Sequence, residues 1–416
     1  MPLPIIISDK SFLQALNAEE AAILDLLFVT NITPVFYVEV LGDLEKNNKD
    51  KDSQESIVRN LSYKTPKIHP QVNINHLQLG AGDLLGQPVQ MVNKPIIWPG
   101  REVNVEGDIH ILHDVASEVI LFEQWSKRIF SQEERELAKQ YRGNLEAIPK
   151  ISQPIIKVDL GYTFKDFQEV KNFTDGIVNG QKSRLALIKA ALNFFNIIPK
   201  HKNEIIVRWK KENCPPLSEF APYAAYVMSV FFFFQVSVLK GFLSDEKKSN
   251  WMDLAYLFYL PFTEFFISGD YRFHEKIVPL FMKDCQCFIR ADQMKKDLKK
   301  LVEYYQNHPE RNSISLIELV QYPPIEGDFL ISSIYDKVNP GWREHAKNPI
   351  IITHELSQRI NADLYPTLKT VEEKITKGLS VSAENIEGAK SITFMRNIPA
   401  KLGKWELIRQ KNTVDN

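Results

Sequence analysis

The pattern of apolar and polar positions begins with a β-branched run at residues 4–7 that reads as a short buried strand, and Asp9 follows where that strand would end. Phe12, Leu13, Leu16, Ala21, Leu24, Leu27 and Phe28 then recur at helical spacing, with Asn17 placed to divide the stretch into two helices. After residues 31–33, Pro34 suits a helix N-terminus, and Val35, Val38, Leu41 and Leu44 continue with helical period, so Glu39 falls on a helix. Residues 46–53 are charged and lack periodicity, and they open a region of different character that runs to about Pro216. Within it, residues 63–101 mix Pro, Gly and Asn with short apolar pieces, residues 109–142 have a helix-forming composition, and a further helix is expected near residues 185–195.

The later part of the chain repeats the opening alternation. An apolar helix is expected over residues 220–243, then a polar break at 244–250, then a helix over 251–260 that Pro261 ends. Residues 263–268 form a β run closed by Gly269 and Asp270, before a helical stretch over 273–282. Residues 294–306 are Lys-rich at helical period and read as a solvated surface helix, whereas the tail to Asn416 has Pro and Gly breaks and no task that can be assigned. No internal repeat is apparent.

Strands alternating with helices predict an α/β fold, a mostly parallel sheet flanked by helices. The expected division is a core in two halves, residues 1–45 and 218–290, a large mainly helical insertion at 46–217, and a C-terminal extension at 291–416. In parallel sheets ligands collect beyond the carboxyl ends of the strands. Asp9 and Asp270 hold that position, Asp253 lies in the first turn of the helix leading into the second strand, and Glu39 points toward the same edge from its helix.

Composition narrows the classes. The 416 residues are 44% hydrophobic, enough to bury a sizeable core, and 51 Lys plus Arg against 52 Asp plus Glu leave no global positive field. Steering of an anionic substrate then falls to local patches, of which Arg208, Lys210 and Lys211, with Trp209 between them to stack on a base or anchor the insertion, form one and Arg142 another. Cys214, Cys285 and Cys287 make no disulfide framework, Cys285-x-Cys287 lacks a partner pair for zinc, and the N-terminus lacks a secretory signal, which together fit a reducing cytoplasm. Residues 220–239 carry no charge and approach membrane-spanning length, but Pro222, Ser229, Gln235 and Ser237 and the mixed sequence beyond favour a buried core helix, so no membrane partner is expected. His110, His113 and Asp114 stand at helical spacing, either as metal ligands or as the polar face of an inserted helix.

Taken together, the strand ending in Asp9, the Thr-Pro-x-x-x-x-Glu element from Thr33 to Glu39, and the unit in which the Asp253 helix precedes a strand and Ser268-x-Asp270 resemble the PIN-like nuclease domain. Asp253 and Asp270 stand 17 positions apart, room for a helix, a connection and a strand. The resemblance covers residues 1–45 and about 220–290 and implies that Asp9, Glu39, Asp253 and Asp270 bind Mg²⁺ or Mn²⁺. It implies metal-dependent endonucleolytic cleavage, of RNA ahead of DNA, leaving a 5′-phosphate and a 3′-hydroxyl. Ser268, where the family has Thr, would orient a ligand or water. Departures are the segment between the two halves and the absence of any matching basic residue. A catalytically silent PIN-like scaffold that recruits partners is the rival. Each acid also has a bland reading: Asn250 three residues before Asp253 suggests a capping box, Asp9 and Asp270 suit helix caps, Glu39 suits pairing with a lysine, and Asp43 is a weaker extra ligand.

Overall fold

The fold is described from a computed structural model, which covers residues 2–46, 51–105, 108–151, 162–180, 184–244, 249–347 and 391–408. Strand β1 (Ile5–Ser8) has Ile6 and Ile7 wholly buried, as expected of a central parallel strand covered on both faces. Helices α1 (Lys10–Ala15) and α2 (Ala18–Leu27) are divided at Asn17, whose side chain accepts from the Glu20 amide while the Glu20 carboxylate accepts from the Asn17 amide. Strand β2 (Val29–Ile32) follows, and then α3 (Pro34–Leu41), with Pro34 in the first turn and Thr33 capping the Phe36 amide.

The chain continues through α4 (Lys51–Tyr63), β3 (Pro70–Val72), α5 (His76–Leu84), the hairpin β4 (Arg101–Val105) and β5 (Asp108–His113), and α6 (Ser117–Ser126). Then come α7 (Gln132–Ile151), α8 (Phe167–Asn179), α9 (Arg184–Phe194), α10 (Pro199–Lys211), α11 (Leu217–Phe220), α12 (Pro222–Leu239) and α13 (Ser249–Leu257). The last part of the core is β6 (Phe265–Ser268), α14 (His274–Phe281), β7 (Cys287–Arg290) and α15 (Ala291–Gln306). Short helices, β8 (Ser391–Phe394), which pairs in parallel with β5, and the antiparallel pair β9 (Lys401–Leu402) and β10 (Trp405–Glu406) complete the described residues.

The central sheet has five parallel strands in the order β3-β2-β1-β6-β7, flanked by helices. From β1 the chain moves outward through β2 and β3 and later returns to the opposite side of β1 as β6 and then β7. Connections therefore leave β1 in both directions, and the crevice beyond the carboxyl ends of β1 and β6 is where such a sheet offers a site.

Several expectations change. Strand β3 lies inside the segment read as an insertion, yet it forms an edge of the central sheet, and Val58, Leu61 and Leu79 belong to the same buried cluster as Ile6 and Phe266. Pro70 opens β3, which an edge strand tolerates because no ladder donor is needed there. Residues 109–142 are not helical throughout: β5 occupies the start, so His110 and His113, three apart on a strand, point to opposite faces and form no helical metal pair. Asp114 instead receives two hydrogen bonds from Arg101, at 2.7 and 2.6 Å. Helix α15 is half-buried rather than fully solvated, with Met294, Leu298 and Leu301 in the core. Residues 348–390 and 409–416 of the expected C-terminal extension lie outside the described residues.

Helix α12 is long and apolar enough to cross a membrane, with a mean hydropathy of 1.6, and 78% of it is buried inside the protein against α5, α8 and α11. Its first turn has no side-chain cap of its own. Asp83 of α5 supplies one, accepting from the Tyr223 and Ala224 amides at 2.8 and 3.0 Å.

The start of α5 is fixed by His76, whose amide donates to the Tyr259 hydroxyl while that hydroxyl lies 3.2 Å from Nδ1. Burial pushes the imidazole down to about 4. Unfolding restores an ordinary value near 6.5, so the unfolded chain binds the extra proton between the two values. Stability from this group is present above pH 6.5 and is lost as pH falls toward 4. Allowing for partial exposure of the ring, roughly 2 kcal/mol is expected to disappear over that window. Urea unfolding at pH 7 and pH 4.5 should show the loss in the native chain and a smaller one in His76→Gln; equal slopes would exclude it.

Candidate active site

Adjacent strands bring the first and last acids together. Ser8 of β1 lies opposite Ile267 of β6, and the Asp9 amide donates to the Ile267 carbonyl at 3.1 Å, so Asp9 and Asp270 leave neighbouring strands at the same sheet edge. Asp253 approaches from α13 and Glu39 from α3. All four, with Lys10 and Tyr256, line one open pocket of about 470 Å³.

Asp9 is 5% exposed and caps α1 through the Phe12 amide at 2.8 Å. Its carboxylate also accepts from Ser11 Oγ at 2.8 and 2.9 Å and from Ser268 Oγ at 2.5 Å. Ser268 accepts from the Asp270 amide at 2.9 Å and stands 2.7 Å from Nδ1 of His274, which is wholly buried. Nε2 of His274 lies 2.9 Å from the Asp253 carbonyl.

The donor roles follow from the direction in which the Ser268 hydroxyl points. A carbonyl only accepts, so Nε2 carries a hydrogen. Ser268 has one hydroxyl hydrogen; with that hydrogen on the Asp9 carboxylate, the contact to Nδ1 requires a hydrogen there as well. In that arrangement the ring carries both hydrogens and faces Asp9 at 3.7 Å beside Ser268. Burial alone would raise the Asp9 carboxyl, but the hydrogen bonding and charge of His274, aided by Ser268 and the Phe12 amide, hold it below the ordinary range. Burial alone would lower His274, and the Asp9 hydrogen bond with the charges of Asp253 and Asp9 instead raise it.

Glu39 accepts from the Tyr256 hydroxyl at 2.7 Å and faces Lys10 at 3.4 Å. Burial, then the Glu39 charge, push the Tyr256 phenol well above its usual value, so it stays a neutral donor. The Lys10 ammonium, 12% exposed, meets both oxygens of Asp43 at 3.1 Å, and Asp43 is 1% exposed. Asp270 accepts from the Arg272 and Phe273 amides at 2.9 and 3.0 Å, closing the turn into α14.

The capping reading holds for Asp9, whereas Asp270 closes the turn ahead of α14, whose N-cap is Phe273 without a side-chain cap bond; both side chains also line the pocket. The capping-box reading of Asp253 does not hold in that form. Asn250 lies within α13, and its side-chain amide donates to the Ser244 carbonyl. Among the described residues, no three His, Cys, Asp or Glu side chains stand together as a ready-made ion cage. Asp9, Glu39 and Asp270 are each turned to protein donors.

Of the basic residues, none of Arg142, Arg208, Lys210 and Lys211 lines the pocket. Arg142 of α7 donates to the Gly42 carbonyl and faces Asp43 at 3.3 Å. Arg208 stacks on Phe220 at 3.9 Å and donates to the Leu84 carbonyl. Trp209, 4% exposed and bonded to the Pro215 carbonyl, anchors α10 and has no face open for a base. Arg142, Arg208 and Trp209 satisfy carbonyls and rings of the protein, whereas Lys210 and Lys211 are exposed at the end of α10. Sequence reasoning missed Lys10, Ser11, Tyr256 and His274. Two of them sit beside a noted acid, and a polar histidine opening an apolar helix was the remaining signal.

Comparison of the chain with protein-family models, with curated proteins and with solved structures finds no match in any of the three.

Proposed function

We propose that the chain is a divalent-metal-dependent endonuclease of PIN-like type, cutting RNA ahead of DNA to leave 5′-phosphate ends. One observation carries this reading: Asp9, Glu39, Asp253 and Asp270, drawn from four separate elements, line a single pocket beyond the carboxyl ends of parallel strands. The donor set suits Mg²⁺ or Mn²⁺, hard cations that take oxygen ligands. Such a cation, when bound, supplies a polarised water and charge stabilisation at the phosphate. The four carboxylates would hold it. Ser268 and His274 orient Asp9, Tyr256 orients Glu39, and the amides of Arg272 and Phe273 orient Asp270. Carboxylates that share a pocket repel one another, which accounts for their turning to separate donors.

The rival is a catalytically silent PIN-like scaffold. Lys10 favours it, because an ammonium already neutralises Glu39 and Asp43 at the pocket wall. The two separate in one assay, in which the full chain is incubated with labelled single-stranded RNA, duplex RNA and single-stranded DNA, in Mg²⁺, Mn²⁺ or EDTA. The nuclease predicts internal cuts in RNA with either cation and none with EDTA. Cleavage that survives EDTA defeats the metal reading, and intact substrate under every condition leaves the scaffold.

A further inference from the structure

The four acids come from four elements, so their common pocket depends on what registers helix α13 against the edge of the sheet. The His274 ring makes that connection. Nε2 reaches the backbone carbonyl of Asp253 at 2.9 Å, and Nδ1 reaches Ser268 Oγ at 2.7 Å. Ser268 in turn contacts Asp9 Oδ2 at 2.5 Å and accepts from the Asp270 amide at 2.9 Å. One imidazole is thus two bonds or fewer from the first, third and last acids. Glu39 joins through the same helix, because Tyr256, one turn beyond Asp253, donates to its carboxylate at 2.7 Å.

We propose that His274 is a positioning residue of the acid pocket, holding the Asp253 backbone and the Ser268 hydroxyl at a set separation so that Asp9, Asp253 and Asp270 face one space. This deepens the metal-nuclease reading and rests on it. The ring is held on both edges by hydrogen bonds and enclosed by Phe266, Phe273 and Tyr256, whose ring centres lie 5.0, 5.6 and 6.0 Å away and nearly perpendicular to it. A buried polar ring is costly where an apolar one fits, and an aromatic cage would pack a phenylalanine equally well. Both nitrogens of His274 are spent on the backbone or hydroxyl partner of a pocket acid, which is the arrangement that tunes metal ligands from outside the coordination sphere.

The test uses the full chain and three variants. His274→Phe fills the aromatic cage and loses both bonds; His274→Gln places a donor toward the Asp253 carbonyl; His274→Asn places one toward Ser268. Mn²⁺ affinity is read by paramagnetic-resonance titration without substrate, and kcat and KM are read separately on RNA. His274→Phe is expected to weaken Mn²⁺ binding and lower kcat by about 10–100-fold each, with KM for RNA unchanged. The two amide variants should fall between it and the native chain. If His274→Phe does not fold, graded losses in His274→Gln and His274→Asn support the proposal. A folded His274→Phe, or amide variants, within twofold of the native chain in Mn²⁺ affinity and kcat overturn it while leaving the metal reading intact. A native chain that binds no Mn²⁺ overturns both.

Discussion

Asp253→Asn is expected to slow RNA cleavage by roughly a thousand-fold, a loss of about 4 kcal/mol of transition-state stabilisation, with a smaller loss of fold stability than Asp9→Asn. It is the Asp253 backbone carbonyl that accepts from His274, so the amide substitution keeps that bond while it removes the carboxylate charge that acts on His274 and on the pocket. Asp9→Asn would be a poorer test. Its carboxylate caps α1 through the Phe12 amide and accepts from Ser11 and from Ser268 beside buried His274, so its replacement breaks structural bonds and confounds loss of chemistry with loss of fold. Single-turnover cleavage in excess enzyme, paired with urea unfolding of the same preparation, separates the two effects. A rate within tenfold of the native chain would remove Asp253 from the proposed chemistry.

Buried acids elsewhere in the molecule show why the pocket acids are singled out. Asp25 accepts from the amides of Lys67, Ile68 and His69, Asp83 from Tyr223 and Ala224, and Asp297 from Leu330 and Ile331. Each of these carboxylates fastens the start of a distant element and faces no open pocket among those described. Backbone amides account for their burial in full. Asp9, Glu39, Asp253 and Asp270 share a solvent-accessible space in addition to whatever they cap, and a structural role alone does not require that convergence.

The parts of the fold that the sequence revealed are those whose signal is local. Strand β1 is a run of isoleucines, the division between α1 and α2 is a capping box, and α3 opens on Thr33 and Pro34; each is written within a few residues. Strands β2, β3 and β7 escaped because they are three or four residues long and carry Thr, Asn, Pro or Cys. Their pairing is decided by neighbours far along the chain, such as the Phe262 carbonyl that accepts from the Asn31 side-chain Nδ2 across 231 residues. The same distinction holds at the site. The acids follow strands or sit on helices that could be read, whereas the task of His274 depends on a carbonyl in α13, and the burial of Trp209 depends on the turn that brings back Pro215.

Lys10 presents the other case in which a long-range partner defines a residue, and its replacement is expected to cost stability rather than rate alone. Its ammonium stands 3.1 Å from both oxygens of Asp43, which is almost wholly buried, and 3.4 Å from Glu39. In Lys10→Met the methylene stem is replaced by one of similar volume, so packing is kept and charge is removed. Asp43 then retains only Arg142 at 3.3 Å and the exposed Lys46 at 3.9 Å. Removing the closest partner leaves the buried carboxylate only partly compensated, and about 2–3 kcal/mol of unfolding free energy should be lost in EDTA, below the full penalty of a broken buried pair. If the pocket takes a divalent cation, that cation restores part of the missing positive charge, and Mg²⁺ at a hundred times its dissociation constant should return up to about 2.7 kcal/mol. The native chain gains from Mg²⁺ as well, so the decisive quantity is the difference between the two proteins: wide in EDTA and narrower in Mg²⁺ if Lys10 stands in for positive charge at this wall. A gap of equal size in both conditions would show that Lys10 serves Asp43 alone, and no gap in either would mean that Arg142 suffices to hold the buried carboxylate.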